Sequence, residues 1–131
     1  ASLRCIDLPG YGFARVTAAV RDGFAPMVED YLLSRATLKL VLVLVDCRRE
    51  VDDRDQSLLE FLAARKLAAL VVGTKADKLG AAARGVWVAR ASAAAALPRG
   101  AVLLTAARTG LGIDGPRSLL DAIVRSCGLT A

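Results

Sequence analysis

Three short apolar runs each lead directly into a polar or glycine-containing segment, and this pattern limits the possible folds more than any other feature of the chain. The three segments begin at Asp7, Thr74 and Thr105. Each is predicted to be the loop at the carboxyl end of a parallel strand, the edge at which open α/β sheets bind ligands. Because helical periodicity alternates with these strands, we expect an α/β fold, with a parallel sheet and helices on both faces.

The periodicity of the apolar residues predicts four strands and four helices. The run at residues 38–45 is almost continuously apolar, which is typical of a strand covered on both faces. A helix over residues 81–97 is expected to be irregular near Gly85, and Pro116 is expected at the first position of the last helix. The other predicted strands span residues 2–6, 67–72 and 101–104, and the other helices are centred on residues 24–32 or begin at Asp52 or Asp53.

The first segment, Asp7-Leu8-Pro9-Gly10, has the residue types of a magnesium–phosphate loop. A carboxylate at a strand end can hold a water molecule of a phosphate-bound Mg²⁺, and an adjacent glycine lets a backbone N–H approach the terminal phosphate. Asp-x-Pro-Gly is also ordinary turn chemistry, and the segment taken alone favours that interpretation.

The second segment, Thr74-Lys75-Ala76-Asp77, has the residue types that recognise guanine. An ionised aspartate can accept two parallel hydrogen bonds from N1–H and the N2 amino group of guanine, and adenine has no such pair of donors. Lys75 can lay its methylene stem over the plane of the base. The alternative is an exposed polar loop that merely follows a strand.

The third segment, Thr105-Ala106-Ala107, can offer a backbone N–H to the guanine carbonyl, because small side chains let the chain approach the base. Alone it carries little information. The three segments in this order, with Gly110 and Gly112 following the last, together indicate a guanine-nucleotide site.

The composition excludes several other kinds of site. The chain has no histidine, which excludes Ser-His-Asp and Cys-His catalysis and histidine-ligated metals. Cys5, Cys47 and Cys127 are odd in number and widely spaced, which argues against disulfides or zinc and fits a reducing compartment. No apolar run is long enough to span a bilayer. The net charge of +5 fits either an RNA partner or charges spread over solvated faces, and it favours neither.

Several segments resemble the EngB (YihA/YsxC) family of ribosome-biogenesis GTPases. Residues 7–16 resemble the family's DLPGYGYAKV, residues 31–35 its YLLTR and residues 45–48 its VDxR. Residues 74–78 match its TKADK, in which threonine stands where most GTPases have asparagine. The resemblance covers most of the chain, although the serine pair of the family's third loop is replaced here by two alanines.

The resemblance implies a P-loop-NTPase-like (Ras-like) parallel sheet that lacks its first strands, with residues 1–131 as the C-terminal two-thirds of an EngB-type G domain. No Gly-x-x-x-x-Gly-Lys-Ser/Thr phosphate loop occurs in the chain. The strand that leads to such a loop would lie between residues 2–6 and 38–45. We therefore expect a preceding N-terminal segment or another chain to complete the sheet, and the chain alone to be unstable and inactive.

The resemblance also implies roles for individual residues, with GTP or GDP and Mg²⁺ as cofactors. Asp77 would bind guanine and Lys75 would cover it. Thr74 would tie the loop to the rest of the site, and Ala107 would supply a backbone contact. Asp7 would be an outer-shell Mg²⁺ residue, with Gly10 and Tyr11 near the hydrolytic water. The implied nucleotide-binding residues are Asp7, Leu8, Pro9, Gly10, Thr74, Lys75, Ala76, Asp77, Thr105, Ala106 and Ala107.

The function implied by the resemblance is slow GTP hydrolysis in assembly of the large ribosomal subunit, linked to normal cell division and septation. Tyr11 stands where Ras-like enzymes place the glutamine that orients water, and this favours slow hydrolysis. Expected partners are the large-subunit precursor and rRNA, in bacterial cytoplasm or an organelle matrix and without a membrane. The alternative is a nucleotide-free GTPase-like remnant that serves as a structural or RNA-binding module.

Overall fold

The computed structural model describes residues 2–8 and 18–129, with residues 18–25 described by their backbone alone. The chain divides into two compact units, Ala1–Leu38 and Lys39–Ala131. No helix in the described part of the chain is long and apolar enough to cross a membrane. The elements are α1 (Ala18–Ser34), β1 (Val41–Asp46), α2 (Asp53–Ala64), β2 (Ala69–Thr74), α3 (Ala81–Ala95), β3 (Val102–Leu104) and α4 (Leu119–Ser126), with short 3₁₀ turns at Ala76–Lys78 and Arg99–Ala101.

The second unit is built on a parallel sheet in the order β1-β2-β3. Val41 lies opposite Ala69 in the first pair of strands, and Val71 lies opposite Val102 in the second. Helix α2 connects β1 to β2 and α3 connects β2 to β3, which confirms the predicted parallel α/β arrangement. Both helices contact the sheet and each other. The placement of helices on both faces stays a prediction.

Burial differs between the two longer strands. In β2 the four central residues, from Leu70 to Gly73, are all buried, as a strand covered on both faces requires. In β1, Val43 and Val45 are buried but Leu44 is 61% exposed. The prediction that β1 is covered on both faces is therefore wrong at Leu44, which points to the face opposite Val43 and Val45 because successive side chains alternate between the two faces.

The predicted strand at residues 2–6 is also absent, since residues 2–8 contain neither helix nor strand. A strand exists only through hydrogen bonds to a neighbour. Within the described ranges, β1 pairs with β2 alone and no strand pairs with residues 2–8.

Local capping fixes where the helices begin. Asp52 is the N-cap of α2, where its carboxylate accepts hydrogen bonds from the backbone N–H groups of Arg54 and Asp55 in a capping box. Helix α3 continues unbroken through Gly85, so the predicted irregularity there is wrong. One glycine costs a helix only about 1 kcal/mol relative to alanine, which the surrounding alanines tolerate.

The last helix begins later than predicted. Pro116 precedes α4 rather than opening it, because Arg117 adopts a left-handed backbone conformation with φ 59° that interrupts the helix. Ser118 is the N-cap instead, and its hydroxyl accepts a 3.2 Å hydrogen bond from the N–H of Asp121.

Candidate functional site

The two polar loops that follow β2 and β3 are joined by backbone hydrogen bonds. The N–H of Ala76 donates to the carbonyl oxygen of Thr105 at 3.0 Å, and the N–H of Thr105 donates to the carbonyl oxygen of Gly73 at 2.7 Å. The buried Thr105 hydroxyl donates a further bond to the Gly73 oxygen at 3.2 Å. The structure thus brings two of the three predicted segments together at the carboxyl edge of the sheet.

The loop after β2 is held by its buried centre. Ala76 is fully buried, and its carbonyl oxygen accepts a 2.9 Å hydrogen bond from Nε of Arg84 on α3. Lys75, just before it, has a left-handed backbone with φ 58°. Such a conformation costs a non-glycine residue about 1 kcal/mol or more and persists only where its surroundings fix it. Ala76 is therefore an anchor, and the side chains on either side of it are available to a ligand.

Asp77 carries the group that could recognise a base. Its side chain is half-buried, and within the described residues its carboxylate has no hydrogen-bond or ion-pair partner. A carboxylate has acceptor sites for several donors, and two parallel N–H groups fit its two oxygens. The residue types at this edge therefore fit guanine, which presents such a donor pair.

The loop after β3 contains two adjacent backbone donors, and the resemblance to the EngB family assigns the contact with the ligand to the second, Ala107. Ala106 is buried, and its N–H donates to the carbonyl oxygen of Leu111 at 3.0 Å. Ala107 is exposed, and none of the described residues accepts a hydrogen bond from its N–H. Ala107 rather than Ala106 is therefore placed to donate a backbone hydrogen bond to a ligand.

Thr74 ties the loop to β1 through its backbone. Its carbonyl oxygen accepts a 3.0 Å hydrogen bond from the N–H of Cys47, and Asp46 lies opposite Thr74 in the strand register. In the part of the chain that the structure describes, the Thr74 hydroxyl makes no hydrogen bond. Thr74 is thus linked to β1 by its main chain, and its tie to the rest of the site stays a prediction.

Sequence reasoning assigned no role to Asp46 and Arg48, which lie beside this loop. The Asp46 carboxylate accepts hydrogen bonds from the Arg48 guanidinium, the shortest being 2.7 Å, and lies 3.5 Å from Nζ of Lys75. The hydrogen bonds from Arg48 hold the pKa of Asp46 well below its usual range. The match of residues 45–48 to the family's VDxR was the available signal.

Cys47, the residue between them, is a core residue rather than a reactive one. It is buried, and burial, aided by the negative charge of Asp46, raises the pKa of its thiol to about 11. A thiol in this state is a poor nucleophile at neutral pH.

The remaining predicted site residues belong to the unit Ala1–Leu38 or lie outside the described residues. Asp7 is exposed and Leu8 is half-buried, whereas Pro9, Gly10 and Tyr11 fall outside the described ranges. Residues 2–8 and 26–129 form no cluster of three metal-ligating side chains. The role of Asp7 as an outer-shell residue, which would hold a water molecule of Mg²⁺, stays a prediction.

Comparison with known proteins gives the family. No family model matches the sequence. A protein of Anaeromyxobacter sp. (strain Fw109-5) is 40% identical over 112 residues, which cover 86% of this chain, and one of Anaeromyxobacter dehalogenans (strain 2CP-C) is 35% identical over 130 residues, or 99% of it. Both are called probable GTP-binding protein EngB. The chain belongs to the EngB family.

The alignments cover only part of each EngB relative. The chain spans 52% and 60% of the length of the two Anaeromyxobacter proteins. A Geobacter metallireducens EngB protein is 51% identical over 78 residues, which are 60% of this chain and 38% of that protein. The chain thus corresponds to about half of the EngB proteins it matches.

A solved structure supports the fold assignment. The crystal structure of a probable GTP-binding protein EngB superposes with a TM-score of 0.80, covering 93% of this chain and 76% of that one, at 15% identity. At such identity the likeness concerns the fold alone. It confirms the predicted fold class, a partial P-loop NTPase fold with a parallel sheet.

Proposed function

We propose that the chain forms the base-binding part of a guanine-nucleotide site in a slow GTPase. The observation that carries the proposal is the half-buried Asp77 carboxylate, which has no partner among the described residues and follows the exposed Lys75 by two positions. The name shared by the EngB relatives, GTP-binding protein, supports the same assignment.

Each residue would contribute one interaction with the nucleotide. Asp77 would accept the two guanine N–H groups, Lys75 would cover one face of the base, and the N–H of Ala107 would bind the guanine carbonyl. Adenine would be rejected because its amino group and ring nitrogen would leave the Asp77 carboxylate without a matched donor pair. Asp7 would hold a water molecule of Mg²⁺, which when bound neutralises phosphate charge.

The cellular role in this proposal is assembly of the large ribosomal subunit in the bacterial cytoplasm, with effects on cell division and septation that follow from it. It is supported by the resemblance to the EngB family and by the bacterial origin of the relatives. The net charge of +5 fits contact with the phosphate backbone of rRNA, as it also fits charges spread over solvated faces.

The proposal includes a further strand beside β1. Within the described residues β1 pairs with β2 only, so the N–H and C=O groups along its other edge have no strand partner. Leu44 of β1 is also exposed. A preceding N-terminal segment or another chain would pair with this edge and reduce the cost of its unpaired backbone groups.

The test is a titration of fluorescent GDP into the full polypeptide that the gene encodes, with GDP, xanthosine diphosphate and ADP as competitors. We expect GDP but not ADP to compete, and Asp77→Asn to shift preference from GDP toward xanthosine diphosphate, because an amide can donate to the xanthine oxygen. Asp114→Asn, an exposed loop substitution, is the matched control. Unchanged base preference in Asp77→Asn would overturn the base-binding assignment.

The 131-residue chain provides a second arm of the same titration. We expect little or no binding, because it has no phosphate loop and phosphate contacts supply much of the affinity for nucleotides. GDP-specific binding by this chain would instead show that the base-binding residues suffice. Absence of binding by the full polypeptide would favour the nucleotide-free remnant.

A further inference from the structure

We propose that Asp46 is a positioning residue for Lys75, holding the ammonium group of this lysine so that its methylene stem is ordered before a nucleotide binds. The inference rests on the proposed function, since it assigns the ordered stem to the face of a guanine base. It concerns a residue outside the predicted base-binding loops, at the end of β1.

The Asp46 carboxylate is oriented by Arg48 through both of its oxygens. Nε of Arg48 lies 3.1 Å from Oδ1 and 3.2 Å from Oδ2, and Nη2 lies 2.7 Å from Oδ2. The backbone N–H of Arg48 also donates to Oδ1 at 2.9 Å. Four hydrogen bonds from one residue leave this carboxylate a single orientation, and charge-assisted bonds of this kind are the strong ones.

Lys75, the first residue after the neighbouring strand β2, forms an ion pair with the same carboxylate. Its Nζ lies 3.5 Å from Oδ2 of Asp46, and its side chain is otherwise 57% exposed. A free lysine loses up to about 2 kcal/mol of rotamer entropy when a ligand immobilises it. A partner that orders the chain beforehand reduces this loss, which strengthens binding without any new contact to the ligand.

The pairing of β1 with β2 brings Asp46 and Lys75 together. Asp46 lies opposite Thr74 in the register of β1 and β2, so Lys75 is the next residue after its partner. The N–H of Cys47 donates to the carbonyl oxygen of Thr74 at 3.0 Å, which fixes the two backbones beyond the last register pair. Lys75 itself has a left-handed backbone conformation with φ 58°.

A residue with this role changes the affinity for nucleotide and not the rate of GTP hydrolysis. Asp46→Asn should weaken GDP and GTP binding equally, because both nucleotides present the same base to Lys75. It should leave the turnover number and the preference for guanine unchanged, since the base edge is recognised by Asp77. A purely structural role would instead lower stability without coupling to Lys75.

The test is a double-mutant cycle with Asp46→Asn and Lys75→Met, measured as the Kd for GDP in the full polypeptide. We expect Asp46→Asn alone to raise Kd about threefold, the effect of an ordered, partly exposed ion pair. In the Lys75→Met background the same substitution should have no further effect. Glu50→Gln, which removes the exposed Glu50–Arg90 pair in the adjacent loop, is the matched control and should leave Kd unchanged.

The cycle separates this inference from the proposed function. Additive effects of Asp46→Asn and Lys75→Met, or no effect of Lys75→Met, would overturn the positioning role while Asp77→Asn still altered base preference. If Asp77→Asn also left the base preference unchanged, the proposed function itself would be overturned. If Asp46→Asn does not fold, Arg48→Gln replaces it in the cycle, and the absence of coupling between Arg48→Gln and Lys75→Met would overturn the inference.

Discussion

The indole ring of Trp87 lies against the backbone of Gly73, so that a Cβ added at residue 73 would be 2.7 Å from the ring atom Cζ3. The Sγ atom of Cys47 would lie at the same distance, 2.7 Å, from that Cβ. The Gly73 carbonyl oxygen accepts both hydrogen bonds from Thr105 that join the two loops of the candidate site. Close packing beneath β2 therefore positions the loops at its end.

Gly73→Ala should lower the free energy of unfolding by about 1–3 kcal/mol, because a methyl group added to a packed core displaces its neighbours. Urea denaturation of the protein measures the change. Gly85→Ala, in α3 with no atom within 4 Å of the added Cβ, should raise stability by up to about 1 kcal/mol and is the control. Equal shifts in the two variants would contradict this account of Gly73.

Asp55→Ala should be the most destabilising aspartate substitution in α2. The side chain of Asp55 is fully buried, and its Oδ2 accepts hydrogen bonds from the N–H of Asp52 at 3.0 Å and from Nη1 of Arg49 at 2.8 Å. Its loss leaves these donors without that acceptor, which costs about 2–3 kcal/mol. Thermal unfolding measures the effect, and Asp53→Ala, at an exposed position of the same turn, should change stability by less than about 0.5 kcal/mol.

The sequence predicts those elements whose signals are local. The apolar run before Thr74 and the capping aspartate Asp52 both have the predicted structure, because a strand with a continuous apolar run and a helix N-cap each depend on a few adjacent residues. The predicted start of the last helix is wrong because two local signals compete there. Pro116 is suited to a first helical position, but Ser118, two residues later, forms the cap.

The contacts that join strands were not predictable from one sequence. The pair Asp46–Lys75 depends on the register of β1 against β2, and a shift by one residue would separate the two charges. The exposure of Leu44 likewise depends on which elements cover β1, and apolar periodicity does not contain that information. The resemblance to a known motif pointed to residues 45–48 without giving their partner.

The three cysteines should differ in reactivity. Cys5 is exposed, Cys127 is half-buried, and Cys47 is buried with its pKa raised to about 11. At pH 8, iodoacetamide should therefore alkylate Cys5 first and Cys47 only after denaturation, since the thiolate is the reactive form. Peptide mass spectrometry of a labelling time course distinguishes the sites. Alkylation of Cys47 at the rate of Cys5 under native conditions would contradict its burial.

Asp46 should contribute to stability in a defined range of pH. Hydrogen bonds from Arg48 lower its folded-state pKa below the unfolded value, near 4, so the folded protein holds the ionised carboxylate more strongly. A group with a lowered folded-state pKa stabilises the protein fully above its unfolded pKa. That contribution decreases as the pH falls below about 4 and is lost below the folded-state value.

The free energies of unfolding of the protein and of Asp46→Asn should therefore differ by a constant amount between pH 5 and pH 7, and the difference should shrink as the pH falls below about 4. Urea denaturation at each pH measures it. Asp114→Asn, at an exposed position, corrects for the general effect of removing one carboxylate. A difference that grew toward low pH would mean that the folded protein binds the ionised carboxylate of Asp46 less well than the unfolded chain does. This would contradict the stabilising hydrogen bonds from Arg48.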